Sequence, residues 1–88
     1  MGRIEKLAGN FTQAEIDEEI ILMRLHTGEL LSLTDTAAAI WRLIDGERDR
    51  PALVAALQAE FDAGEEEIGR DLDRLIAQLR EAGLIAGA

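Results

Sequence analysis

The chain has 88 residues, with nine basic against eighteen acidic side chains and a net charge of −9, enough for one domain with a thin core. Such a charge disfavours nucleic acid and favours a basic partner, while the lack of cysteine excludes disulfides and thiolate metal sites. No apolar run is long enough for a signal peptide or a membrane span, so a cytoplasmic chain is the expectation; two Phe, one Trp and no Tyr make the expected core aliphatic.

Residues 1–10 are expected to form an arm or a short strand around Ile4 and Leu7, ahead of a single domain over 11–88. Gly9-Asn10 punctuates, and Phe11 to Ile16 reads as a strand of weak alternation closed by a turn at Asp17-Glu18. From Glu18 to Leu33 the pattern is a hairpin with apolar residues on both faces, and its loop length decides which of them share a face. A two-residue turn at Thr27-Gly28 would place Ser32 on the same face as Met23. A three-residue loop His26-Thr27-Gly28, with Gly28 left-handed, would instead line one face with Ile21, Met23, Leu25, Leu31 and Leu33. The three-residue loop is the reading adopted. It leaves Ile20, Leu22 and Leu30 beside Arg24 and Ser32 on the other face, more apolar surface than water alone would meet. The candidate covers are the N-terminal segment, a second copy of the chain, or a ligand.

Three helices follow. Thr34 or Asp35 is expected to cap the first, which carries Ala37, Ile40, Trp41 and Ile44 at helical spacing and ends at Asp45-Gly46. The second starts at Asp49 or Arg50, with Pro51 in the first turn and Leu53, Val54, Leu57 and Phe61 as its buried stripe. Glu65-Glu66-Glu67 opens the third, whose apolar stripe is Ile68, Leu72, Leu75, Ile76 and Leu79. Gly83 stops it, and Leu84-Ile85 then docks as a tail or adds a strand. The whole predicts an α+β, winged-helix-like domain: a small N-terminal antiparallel sheet of three strands followed by three helices.

That outline invites a DNA-binding reading, which the charges oppose. A recognition helix presents its first turn to phosphates and base edges, and here that turn is three glutamates. Catalysis lacks its parts as well. His26, the single histidine, falls in a predicted turn; Ser32 has no general base beside it; and no acid, base and nucleophile set can be assembled. The chain is therefore read as a non-enzyme without a cofactor or metal. Its informative feature is the strand that ends the meander, because one row of its backbone N–H and C=O groups stays unpaired and can template another polypeptide.

The run from Leu25 to Trp41 (LHTGELLSLTDTAAAIW), then Ile44-Asp45-Gly46, Asp71-Leu72 and Leu79-Arg80-Glu81-Ala82-Gly83-Leu84-Ile85, resembles the PqqD family. These are the coenzyme PQQ synthesis protein D-like domains, also called recognition elements for ribosomally made, post-translationally modified peptides. The likeness runs from about Phe11 to Ile85. It implies a peptide chaperone that binds the leader segment of a precursor peptide as an extra strand, in a groove walled by the third helix, and presents it to a modifying enzyme. Carried onto this chain, the pairing edge is Glu29, Leu30, Leu31, Ser32 and Leu33. For the helix wall the flank Asp71, Arg74 and Gln78, with Leu75 as apolar floor, is preferred over Gly69, Asp73 and Arg80. Leu30-Leu31 replaces residues that are aromatic in many relatives, and Thr34-Asp35 stands where Asn is frequent. The implied partner enzyme is a radical S-adenosylmethionine protein, as in PQQ-like pathways, or a leader peptidase, as in lasso-peptide pathways. The rival reading is a homodimeric structural or regulatory module whose apolar sheet face is a subunit interface.

Overall fold

The computed structural model describes residues 2–87; Met1 and Ala88, the outer limits of the two predicted segments, lie outside the described residues. Strand β1 (Ile4–Lys6) opens the fold, and a short 3-10 turn (Ala8–Asn10) leads to β2 (Phe11–Ile16), β3 (Glu19–Arg24) and β4 (Leu30–Leu33). Helices α1 (Asp35–Leu43), α2 (Arg50–Glu60) and α3 (Glu65–Glu81) follow, and β5 (Ile85–Gly87) closes the order. β2, β3 and β4 form an antiparallel meander, while β1 and β5 make a separate two-stranded ribbon with Ile4 opposite Gly87. The N-terminal segment thus pairs with the tail, and among the described residues Met23 and Leu30 on the outer face of the meander stay exposed.

The helices take the predicted stripes. Leu53, Val54 and Leu57 of α2 are buried, as are Ile68, Leu72, Leu75, Ile76 and Leu79 of α3, with Phe61 half-buried. Asp49 caps α2 by accepting from the Ala52 N–H at 3.0 Å, one of the four donors a helix start leaves unpaired. α3 ends as predicted: Gly83 adopts φ 77°, its N–H reaches the Arg80 carbonyl, and the Leu84 N–H reaches that of Leu79. That pair of bonds is a Schellman stop, which needs the left-handed conformation glycine accepts without cost, and it drives Leu84 and Ile85 into the core. The start of α1 departs from expectation. Thr34 occupies the cap position without a side-chain bond, and Asp35 is itself left-handed at φ 50°, so the chain turns out of β4 through backbone geometry and not through a capping side chain.

The hairpin register also differs. Met23 faces Leu30, Leu22 faces Leu31 and Ile20 faces Leu33; the Arg24 N–H donates to the Glu29 carbonyl and the Gly28 N–H to that of Arg24. The loop is therefore the four residues Leu25 to Gly28. Gly28 is left-handed at φ 75° as anticipated, but one residue more than expected reverses the face of every β3 side chain relative to β4. Ile20, Leu22 and Leu33 are buried and Leu31 is half-buried against the core, whereas Met23, Leu25 and Leu30 are exposed. The expected grouping of Ile21, Met23 and Leu25 with Leu31 and Leu33 is thus corrected. For β4 alone the expected parity stands.

Trp41 locks the sheet to the helices. Its side chain is fully buried, its Nε1–H donates to Gln13 Oε1 at 2.9 Å, the Phe11 ring meets it edge-on at 5.2 Å, and Lys6 Nζ lies 4.5 Å above its ring. The next residue, Arg42, pairs with Glu15. Gln13 and Glu15 thus lie on the helix-facing side of β2 while staying exposed, which accounts for its weak alternation. α2 and α3 are joined by a two-pronged ion pair, Arg50 Nε and Nη2 to the two Asp73 carboxylate oxygens at 2.7 and 3.0 Å.

Two outcomes follow from this arrangement. Because Arg24 and Glu29 are hydrogen-bonded partners, alternation along an antiparallel ladder directs the backbone groups of Leu31 and Leu33 to β3 and those of Leu30 and Ser32 away from it. Amide hydrogen exchange at Leu30 and Ser32 is expected to be fast, and that at Leu31 and Leu33 slow, in the same folded sample; equal protection along β4 would contradict the register. The Arg50 guanidinium, chiefly through its hydrogen bonds, holds the Asp73 carboxyl below its ordinary value. A carboxyl pKa lower in the folded than in the unfolded chain stabilises the fold above the unfolded value and ceases to do so as pH falls through the folded one. Asp73→Asn is therefore expected to cost stability at neutral pH and progressively less as acid protonates the Asp73 carboxyl, first in the unfolded and then in the folded chain, read by urea unfolding at pH 7 and at successively lower pH.

Candidate peptide-binding groove

β4 is an edge strand that pairs only with β3 among the described residues, and α3 runs beside it. One cavity lies between them and a second lies between α1 and α3, and the two share Gln78. The first, of about 340 Å³, sits at the hairpin end between Leu30 and Leu31 of β4 and Gln78, Glu81 and Ala82 of α3, with Arg24 and Glu29 at its rim. The second, of about 200 Å³, sits toward the start of α1, between Thr36, Ala37 and Ile40 on one side and Asp71, Arg74 and Leu75 on the other.

Helical spacing explains the α3 wall. Asp71, Arg74, Leu75, Gln78, Glu81 and Ala82 fall three or four residues apart and share one flank. Leu75 is buried and forms floor, Asp71 is half-buried, and Arg74, Gln78 and Glu81 are exposed. The alternative flank is already engaged: Asp73 is bound by Arg50, Arg80 donates to the Gly87 carbonyl at 2.7 Å, and Gly69 is buried so close under Arg50 that a Cβ there would stand 2.9 Å from its Nη2.

The sequence-derived residues divide by role. Glu29, Leu30, Leu31 and Gln78 border the hairpin-end cavity, and Asp71, Arg74, Leu75 and Gln78 border the other. Ser32 borders neither, but its backbone faces the free edge while its hydroxyl donates to the Glu19 carboxylate on β3. Leu33 is buried in the core, so its side chain is not part of the groove surface. Glu81, Ala82 and Arg24, and the α1 residues Thr36, Ala37 and Ile40, were not anticipated; extending the Asp71–Gln78 row by one helical step would have reached Glu81.

Electrostatics differ between the two ends. At the hairpin end Arg24 Nη1 is 2.6 Å from Glu29 Oε1, and Glu81 forms no ion pair among the described residues. The α1 end carries one acid and one base, Asp71 and Arg74. The carboxyl whose pKa is displaced in this helix, Asp73, lies outside the groove, and so does Asp45, held low first by the Glu47 backbone N–H. His26 is exposed in the β3–β4 loop. The site therefore offers backbone hydrogen bonds, apolar recesses and fixed charge, the equipment for holding an extended peptide.

Known proteins share this framework. The family model for coenzyme PQQ synthesis protein D (PqqD) matches residues 19–85. Two PqqA binding proteins of Pseudomonas fluorescens, from strains SBW25 and Pf-5, are 39% and 38% identical over 56 residues. That stretch is 64% of this chain and 60% of either relative, so the chain spans less than two thirds of the curated relatives it matches. Among solved structures, TbiB1 in complex with the TbiA(beta) leader peptide superposes with a TM-score of 0.80 at 28% identity, over 90% of this chain and 92% of that one. A lasso peptide synthetase B1 complexed with the leader peptide gives 0.82 at 23% identity, over 96% and 98%, and shares the fold. With the family model extending from the start of β3 into β5, the chain belongs to the PqqD family.

Proposed function

We propose that the chain is a non-catalytic peptide chaperone that binds the leader segment of a ribosomally made precursor peptide by strand addition to β4 and presents it to a modifying enzyme in the cytoplasm. The observation that carries this reading is the unpaired backbone edge at Leu30 and Ser32, bordered by the Gln78-centred recesses against α3. The names of the relatives, a PqqA binding protein and leader-peptide complexes, agree with it. Main-chain bonds would set the register of the guest, and its alternate side chains would enter the recesses. Glu29 to Leu33 supply the edge, Asp71, Arg74, Leu75 and Gln78 the wall. The partner is a radical S-adenosylmethionine enzyme if the pathway is PQQ-like, or a leader peptidase if it is lasso-like.

Synthetic leader peptides of the PqqA and lasso kinds, titrated into isotope-labelled protein, are expected to shift backbone amides chiefly from Glu29 to Leu33. Ser32→Pro removes an N–H that faces away from β3, so it deletes a main-chain donor to the guest and no ladder bond of the sheet, only the exposed hydroxyl bond to Glu19. It is expected to weaken peptide binding about tenfold or more, the loss of one well-made main-chain bond and its neighbours, with thermal stability little changed. Full affinity in a folded Ser32→Pro protein would falsify pairing at this edge. Concentration-dependent self-association without peptide binding would instead favour the homodimeric module.

A further inference from the structure

We propose that the groove selects guests that place a cationic side chain in its hairpin-end cavity, and that Glu81 is the specificity-determining residue that reads it. The inference rests on the reading of β4 and α3 as a guest-strand site and adds the chemistry of the guest.

The cavity's charge is unevenly satisfied. Arg24 is spent on Glu29 at 2.6 Å, which leaves Glu81 as the carboxylate at this end with no ion pair among the described residues. Apart from Gln78 and the strand edge at Leu30, the remaining lining is Leu31 and Ala82, apolar surface of the kind along which the methylene stem of Lys or Arg packs while its head reaches a charge. Gln78 is neutral and separates this end from the Asp71 and Arg74 pair of opposite sign, so charge discrimination is concentrated at Glu81. A net charge of −9 acts in the same direction on encounter, drawing cationic segments in and holding acidic ones off.

A displayed library of random short peptides, selected on the wild-type protein, tests this. Groove-dependent binders are those lost on Ser32→Pro or, independently of that variant's folding, lost when the peptide's own backbone amides are N-methylated. Among them Lys or Arg is expected to be enriched at one fixed position. Resynthesised with Lys or Glu at that position, the Lys peptide is expected to bind about fivefold more tightly at low salt, the scale of an exposed ion pair, and the ratio should shrink at high salt. Glu81→Gln should remove the ratio and Glu81→Arg invert it, both with unaltered melting temperature. Groove-dependent binders with no charge preference, or a preference that survives Glu81→Gln, overturn Glu81 as the reader while leaving strand addition intact. An absence of groove-dependent binders overturns both.

Discussion

The pairing of Arg24 with Glu29 across a four-residue loop decides the character of both surfaces of the meander. From that pairing Ile20, Leu22, Leu31 and Leu33 turn to the helices, and Met23, Leu30 and Ser32 turn away. The same alternation sends the Leu30 and Ser32 backbone groups to the open edge. A one-residue change in the loop would exchange buried for exposed side chains along β3 and rotate the free donors of β4 onto different residues. Apolar burial therefore protects the open edge: slipping the register would expose Ile20 and Leu22, each worth about 1.5–3 kcal/mol when fully buried.

Trp41 transmits that register to the rest of the molecule. It bonds to Gln13 of β2, meets Phe11 on its edge and carries the Lys6 ammonium on its ring, so one side chain of α1 touches both the meander and the terminal ribbon. Burial lowers the Lys6 pKa, with the nearby Asp45 opposing. α1 also lines the second recess through Thr36, Ala37 and Ile40. Core and groove thus share one helix, with Ile40 buried in the core while it borders the recess.

Periodicity made the helices legible. Each predicted stripe of α2 and α3 is buried or half-buried because a 3.6-residue repeat survives ambiguity of a residue or two at the ends. Strand parity has no such redundancy. The segment from Leu25 to Gly28 contains one glycine and admits loops of two, three or four residues, and only the tertiary cost of exposing Ile20 and Leu22 chooses among them. The groove flank of α3 was legible as a row of residues. Its selection became physical only with Arg50 of α2 folded onto Asp73 and Gly87 onto Arg80, contacts between segments far apart or joined by a tight turn that no local pattern encodes. The start of α1 shows the same limit, since Asp35 is a competent capping residue that tertiary geometry uses for a left-handed turn.

That left-handed Asp35 has a thermodynamic consequence for whatever lies along β4. It turns the chain away one extended residue after Leu33, so β4 itself offers two outward residues, Leu30 and Ser32, each with one donor and one acceptor. At about 1 kcal/mol net for a main-chain bond, a fully paired guest gains roughly 4 kcal/mol from the edge, which by itself is millimolar binding. The strand can align a peptide but cannot retain it. Retention of any guest strand would then rest on its side chains in the recesses, and such a guest would be released as soon as another surface competed for those few side chains.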